Sequence, residues 1–290
     1  MSKIRDILEL IRLPNVFTSH ADIAAGFLVA GGYTYHWRGL LLLLLSSTFL
    51  YSAGIALNDY FDYAIDLVER PQRPIPSGRV KRGTALALGI IFILAGVVSA
   101  SLAGSASLII SLFLVAAILS YDGGMKRNIL FGPLNMGLCR YLNFLLGLSV
   151  LSLSGSAFWI PMPTGLFIVG VTAVSRYEAG EFPRFPVLYS VITTAAVPLL
   201  YMLLQGRGIF SGWPGAVLCL IWTAFILSLL FYLSIRRNAE TTQRVVKYMI
   251  LGLVGLDGIL VTGARGVSWA LPVWALWVPA IIAGKRFYAT

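Results

Sequence analysis

Apolar stretches of about 17 to 23 residues recur along the whole chain, and no other feature limits its fold so strictly. Each is long enough to cross the hydrocarbon core of a bilayer as a helix, where every backbone N–H and C=O must find its partner within the segment. The expected spans are 14–33, 40–57, 83–101, 106–121, 135–153, 162–177, 186–205, 213–235 and 246–264, with a shorter apolar stretch at 268–284. Composition agrees: 58% of residues are hydrophobic and 12% charged, about half the charged fraction of a water-soluble domain. The fold class is therefore all-α, a polytopic transmembrane helical bundle of about nine spans, or ten if 268–284 crosses, with cytoplasmic cap loops. Trp269, Trp274 and Trp277, with Pro272 and Pro279, suit an interfacial or re-entrant segment equally well. A single membrane domain covers 1–290, without a separate soluble unit, low-complexity tract or short-period repeat.

Charge placement sets the orientation. With the N-terminus cytoplasmic, the loops at 58–82, 122–134, 178–185 and 236–245 all face the cytoplasm, and 17 of the 22 Lys and Arg fall on that side against 3 outside (Arg38, Arg207 and Arg265). Lys285 and Arg286 follow the fate of 268–284. The net charge of +10 is thus a topology signal; no basic stripe with interleaved aromatics points to nucleic acid. Met1 to Arg12 reads as a charged amphipathic helix at the membrane surface, with Ile4, Ile7, Leu8 and Ile11 on one face, rather than as a cleavable leader. Cys139 and Cys219 are too few and too apolar in context for a disulfide framework or a zinc site. Since the outer connections are short and plain, the chemistry belongs on the cytoplasmic face of a cytoplasmic-membrane protein.

There, 3 of the 12 acidic residues crowd into Asn58-Asp59-Tyr60-Phe61-Asp62-Tyr63-Ala64-Ile65-Asp66. If the second span continues as a helix, Asp59, Asp62 and Asp66 share one face, and their oxygens converge on one point. Such carboxylates repel unless a cation sits among them, and Mg2+ is the hard cation that combines one or two carboxylates with substrate phosphates. A solvated acidic helix end is the plainer alternative. Next comes Glu69-Arg70-Pro71-Gln72-Arg73-Pro74-Ile75-Pro76-Ser77-Gly78-Arg79, whose three prolines predict a stiff, extended segment holding Arg70 and Arg73 near the carboxylates. These arginines serve either as anchors for anionic lipid heads or, beside a metal, as the guanidinium partners of a diphosphate.

The second inner loop, Tyr121-Asp122-Gly123-Gly124-Met125-Lys126-Arg127, offers two adjacent cations and glycines that let the backbone approach a ligand. Arg140 and Asn143 follow within the next span, where a functional or paired role is the default, and both are expected to bind substrate. In the third loop, Glu178 and Glu181 form either a second metal half-site or, with Arg176, a simple surface pair. Asp22 and Asp257 lie within spans and require a cavity or a partner; an ion-coupled transporter or lipid carrier would use such groups.

The pattern Asn58-Asp59-x-x-Asp62-x-x-x-Asp66, then Arg70-Pro71-x-Arg73-Pro74-Ile75-Pro76-Ser77-Gly78, resembles the first signature of the UbiA superfamily of intramembrane prenyltransferases. Tyr121-x-x-x-x-Lys126-Arg127 is similar to that family's Tyr/Lys segment, and residues 121–147 resemble most the bacterial UbiA-like EboC subgroup. The resemblance implies a helical bundle around a central cavity and two Mg2+ ions holding a prenyl diphosphate between two acidic motifs. It makes Asp59, Asp62, Asp66, Glu178 and Glu181 metal ligands with Asn58 beside them. Arg70, Arg73, Lys126 and Arg127 would hold the diphosphate, and the Tyr121 ring would face the allylic carbon. The chain departs from the family where aspartates are usual in the second motif and glutamates stand here. The expected activity is Mg2+-dependent prenyl transfer to an unidentified acceptor; a non-catalytic prenyl-diphosphate binder is the reading that the glutamates favour.

Overall fold

The computed structural model describes residues 3–34, 36–151, 153, 155–178, 183–236 and 238–287. A short helix α1 (Lys3–Leu10) leads into α2 (Leu13–Ala30), α3 (Trp37–Phe61), the small α4 (Tyr63–Glu69), α5 (Arg82–Ala103), α6 (Ser105–Asp122) and α7 (Phe131–Leu148). Then come α8 (Met162–Ser175), α9 (Arg184–Gly206), α10 (Trp213–Ile235), α11 (Ala239–Arg265), α12 (Val267–Trp274) and α13 (Trp277–Phe287). Every one of the nine expected spans coincides with a helix, and the described residues contain no strand. Eight segments are long and apolar enough to cross a membrane by themselves. The other two membrane-length helices, α2 and α7, are 18 residues each and more polar, carrying Asp22 and Arg140.

That polarity locates α2 and α7. They pack against each other at the centre, with α3, α8 and α11 around them, so their polar atoms turn inward rather than toward lipid. Glycine makes the approach possible. A methyl group at Gly26 would stand 2.5 Å from the Phe144 carbonyl oxygen and 2.7 Å from the Leu148 nitrogen, and one at Gly147 would stand 2.5 Å from the Ile23 carbonyl. Backbone therefore meets backbone, as small residues allow between membrane helices. Gly26→Ala is expected to cost about 2 kcal/mol, seen as a lower melting temperature in detergent. Gly83→Ala, where nothing lies within 4 Å of the added methyl, should be neutral or slightly stabilising.

The stretch at 268–284 forms α12 and α13, which together are long enough to cross. Pro279 has no N–H for the Ala275 carbonyl four residues back, and the helix breaks there, between Trp274 and Trp277. The indoles of Trp274 and Trp277 donate to the Gly255 and Leu251 carbonyls at 3.3 and 2.8 Å, fastening the broken helix to α11.

Two expectations fail locally. The segment after Glu69 is not extended: Arg73 N–H reaches the Arg70 carbonyl at 3.1 Å, Ser77 N–H the Arg73 carbonyl at 3.0 Å and Val80 N–H the Pro74 carbonyl at 2.9 Å. The prolines prevent a helix but leave successive turns, and burial of Ile75 and Val80 against Leu10, Ala56 and Ala85 closes them. The predicted loop at 236–245 is mostly helix as well. Asn238 caps α11 by accepting the Thr241 N–H at 2.8 Å, and Glu240 pairs with Arg244 at 2.8 Å one turn on.

Helix α1 docks on those turns. Arg79 donates to Glu9 at 2.7 and 2.8 Å, to Asp6 at 2.9 Å and to the Gln72 carbonyl at 2.8 Å. The Glu9 bonds first, then those of Asp6, raise the guanidinium pKa further above its ordinary value. Arg79→Ala should release α1 at a cost of about 1–2 kcal/mol, measured as faster tryptic cleavage after Arg5.

Candidate active site

Helix α3 ends at Phe61, but Asp62 (φ −85°, ψ 3°) keeps the chain nearly helical into α4. Asp62 N–H bonds the Asn58 carbonyl at 2.9 Å and Asp66 N–H bonds the Asp62 carbonyl at 2.8 Å. The expected spacing survives the helix break, and Asn58, Asp59, Asp62 and Asp66 meet cations at one end of the bundle.

Their oxygens do not converge on a single point, however. One guanidinium nitrogen of Arg73 lies 3.4 Å from Asp59 and 2.7 Å from Asp66, whereas Asp62 turns to the Lys126 ammonium at 2.7 Å. Lys126 also donates to the Asn58 side-chain oxygen at 3.0 Å and stands 4.0 Å from Asp122. Among the described residues no three acidic, His or Cys side chains are gathered closely enough to hold a metal, because these cationic groups are interleaved between them. Mutual repulsion of the carboxylates is the physical reason. Asp59 and Asp66 are only 3% exposed, and burial pushes the Asp66 carboxyl above the usual range against the pull of Arg73.

Three contributors escaped the sequence reading. Arg12 reaches Asp59 at 3.2 Å from the junction of α1 and α2. It is the one non-glycine residue, among those described, in the left-handed region (φ 48°), and such strain collects at functional sites. Arg176 donates to the carbonyls of Lys126, Arg127 and Asn128 at 2.5, 3.0 and 2.9 Å, so it fixes the turn that presents Lys126 instead of pairing with Glu178. Asp122, 4% exposed, is the third.

The remaining expected residues divide. Glu178 is partly buried; burial raises its carboxyl pKa, while Arg70, Arg12 and Arg73 oppose the shift, which puts Glu178 within electrostatic range of the carboxylate run's arginines. Glu181 lies outside the described residues. Tyr121 lies within electrostatic range of Asp122, Arg176, Cys139 and Asp62. The side chain of Arg127 is exposed. Arg140 and Asn143 are engaged in the interior: Arg140 donates to Asp22 at 3.0 Å and Thr18 at 2.9 Å. Asn143 donates to Asp22 at 2.8 Å and to the Ser19 carbonyl at 2.9 Å. Asp257 accepts from Thr164 at 3.1 Å and adjoins Asp22, and one oxygen of each acid is buried without a hydrogen-bond donor.

The donor set suits a hard divalent cation. It is oxygen throughout, from Asn58, Asp59, Asp62, Asp66, Asp122 and Glu178, and one Asp122 oxygen is buried with no hydrogen-bond donor. Guanidinium and ammonium groups stand ready beside it for an anion.

Known proteins resemble this chain in sequence and in fold. The family model described as UbiA prenyltransferase family matches residues 23–254. A digeranylgeranylglyceryl phosphate synthase of Sulfurisphaera tokodaii is 32% identical over 144 residues, covering 50% of this chain and 52% of that protein. The synthase of the same name from Methanothrix thermoacetophila is 27% identical over 260 residues, 83% of this chain and 93% of the relative. The chain thus spans about half the length of several of the curated relatives it matches and nearly all of another. Among solved structures, a UbiA homologue from Archaeoglobus fulgidus bound to GPP and Mg2+ superposes with a TM-score of 0.68 at 17% identity, covering 93% of this chain and 99% of that one. A structure of digeranylgeranylglyceryl phosphate synthase gives 0.71 at 22% identity, over 92% and 100%. With the family model matching most of the chain, and a helical bundle that carries the acidic run and the Lys126 turn at one end, this protein belongs to the UbiA prenyltransferase family.

Proposed function

We propose that the protein is a Mg2+-dependent prenyltransferase of the cytoplasmic membrane, moving a prenyl group from a prenyl diphosphate to an acceptor at the cytoplasmic side. The observation that carries this reading is the interleaving of Asp59, Asp62 and Asp66 with Arg12, Arg73 and Lys126 at one end of the bundle. Acid and base in equal measure suit a metal–diphosphate pair, in which carboxylates take the metal and guanidinium and ammonium groups take the phosphate oxygens. The loops bearing these residues are those the positive-inside bias assigns to the cytoplasm.

Asn58, Asp59, Asp62, Asp66 and Glu178, with Glu181, would hold Mg2+; bound there, it neutralises charge on the leaving diphosphate. Arg70, Arg73, Lys126 and Arg127 would bind the diphosphate oxygens and fix the donor with its allylic carbon toward Tyr121, whose ring face stabilises positive charge as the C–O bond breaks. The apolar bundle around the isoprenoid tail keeps water from the cation until the acceptor's nucleophile traps it. Arg140 and Asn143 would bear on substrate binding through the frame. They tie α7 to α2, and Lys126 and Arg12 precede those two helices, so the Arg140–Asp22 pair sets how far apart the two cations stand.

The test is a prenyl transfer assay on purified protein in lipid nanodiscs, with labelled prenyl diphosphates and an acceptor panel that begins with a geranylgeranylated glyceryl phosphate, the acceptor suggested by the relatives' name. Labelled lipid product that needs Mg2+ supports the reading. No transfer to any acceptor, alongside measurable solute flux in liposomes, would make it a transporter. Binding without transfer, with transfer appearing once Glu178 and Glu181 are both changed to Asp, would make it a non-catalytic binder.

A further inference from the structure

The Lys126 ammonium stands where three oxygens point. Asp62 lies 2.7 Å away, Asn58 3.0 Å and Asp122 4.0 Å, contributed by the end of α3, the turn into α4 and the end of α6. The first two are hydrogen-bonding distances; the third is not. Asp122 is nevertheless the more enclosed of the two acids around this lysine, its side chain 2% exposed against 19% for Asp62. Its second oxygen is fully buried and has no hydrogen-bond donor. The other charges it feels, beyond Lys126 and Arg12, are those of Asp62 and Asp59. A carboxylate retained only to position a lysine four residues along would approach it to ordinary ion-pair distance. Instead Asp122 is buried among like charges with half its bonding capacity unused, an arrangement that is costly unless a cation serves it.

The geometry points to Asp122 as a metal-ligating residue that completes, with Asn58 and Asp62, a divalent-cation site whose centre the Lys126 ammonium occupies as a tethered place-holder. This rests on the reading of the site as one for Mg2+ and diphosphate. Entry of a divalent cation frees Lys126 to turn to a phosphate oxygen, while the two carboxylates keep a cation between them throughout. Metal and diphosphate then favour each other, since each removes the competitor of the other. It also supplies a carboxylate from α6 on a chain whose second acidic motif carries glutamates.

The experiment uses the full chain in nanodiscs and Mn2+ alone as probe, its binding followed by electron paramagnetic resonance without diphosphate. D122N should weaken Mn2+ binding about 10-fold or more, as D62N does, whereas K126Q should tighten it several-fold while weakening binding of inorganic diphosphate. If D122N binds Mn2+ like the wild type while D62N is impaired, Asp122 is only a partner of Lys126 and the inference is overturned, with the site reading intact. If D62N and D59N also bind normally, the site reading itself fails. Should D122N lower the melting temperature too far to assay, K126Q decides: unchanged or weaker Mn2+ affinity contradicts the place-holder.

Discussion

Asp62→Ala is expected to lower prenyl transfer on the order of 10³-fold while leaving the melting temperature within about 2 °C of the wild type. The side chain is 19% exposed and makes its close contact with Lys126 at 2.7 Å, so its loss removes little buried surface. What disappears is one negative charge from a crowded acidic set and the anchor that holds Lys126 toward Asn58. Initial rates and differential scanning fluorimetry on the same preparation separate the two effects. A parallel fall in both would make the acidic run a structural element of the bundle end. Asp62→Asn keeps the shape and loses the charge, and it should fall between the wild type and Asp62→Ala in rate.

Arg140→Met is expected to do the opposite, acting first on stability. Its guanidinium, on a residue 9% exposed, is bound to Asp22, which is fully buried together with Asp257. Removing it leaves buried carboxyls without their counter-charge, at a cost of about 3–5 kcal/mol, which for a chain of this size lowers the melting temperature by roughly 10 °C. The double variant Arg140→Met/Asp22→Asn should recover much of that loss, since the uncompensated charge goes with it, and the non-additivity measures the coupling. A single-variant loss below about 1 kcal/mol would show that the pair does not hold α2 and α7 together. Activity should fall with it, because α2 and α7 begin next to Arg12 and the Lys126 turn.

Much of this was legible in the sequence wherever the governing interaction is local. Helix placement follows from apolar length, and the facing of Asp59, Asp62 and Asp66 follows from three- and four-residue steps that persist even though α3 stops at Phe61. Contacts across long stretches of chain carry no such periodic mark. Arg12 meets Asp59 47 positions away, and Arg176 meets the Lys126 carbonyl 50 positions away; each looked like an ordinary basic residue at a membrane edge. The turns after Glu69 escape local pattern for the same reason. Prolines restrict the local backbone, but the burial of Ile75 and Val80 against Leu10 decides the path, and that partner lies in the N-terminal helix. The Asp run was expected to meet at one point because a spacing rule reports a shared face and says nothing of the cations that other helices insert between the oxygens.

If the acidic and basic cluster binds a prenyl diphosphate through Mg2+, the affinity depends on the metal. Isothermal titration of the purified chain with geranylgeranyl diphosphate, without acceptor, in Mg2+ and again in EDTA, tests it most directly. Saturable binding in Mg2+ is expected to weaken at least about 100-fold in EDTA and to be lost in Asp62→Ala. Equal affinity in EDTA and in Mg2+, or unchanged binding in Asp62→Ala, would contradict it.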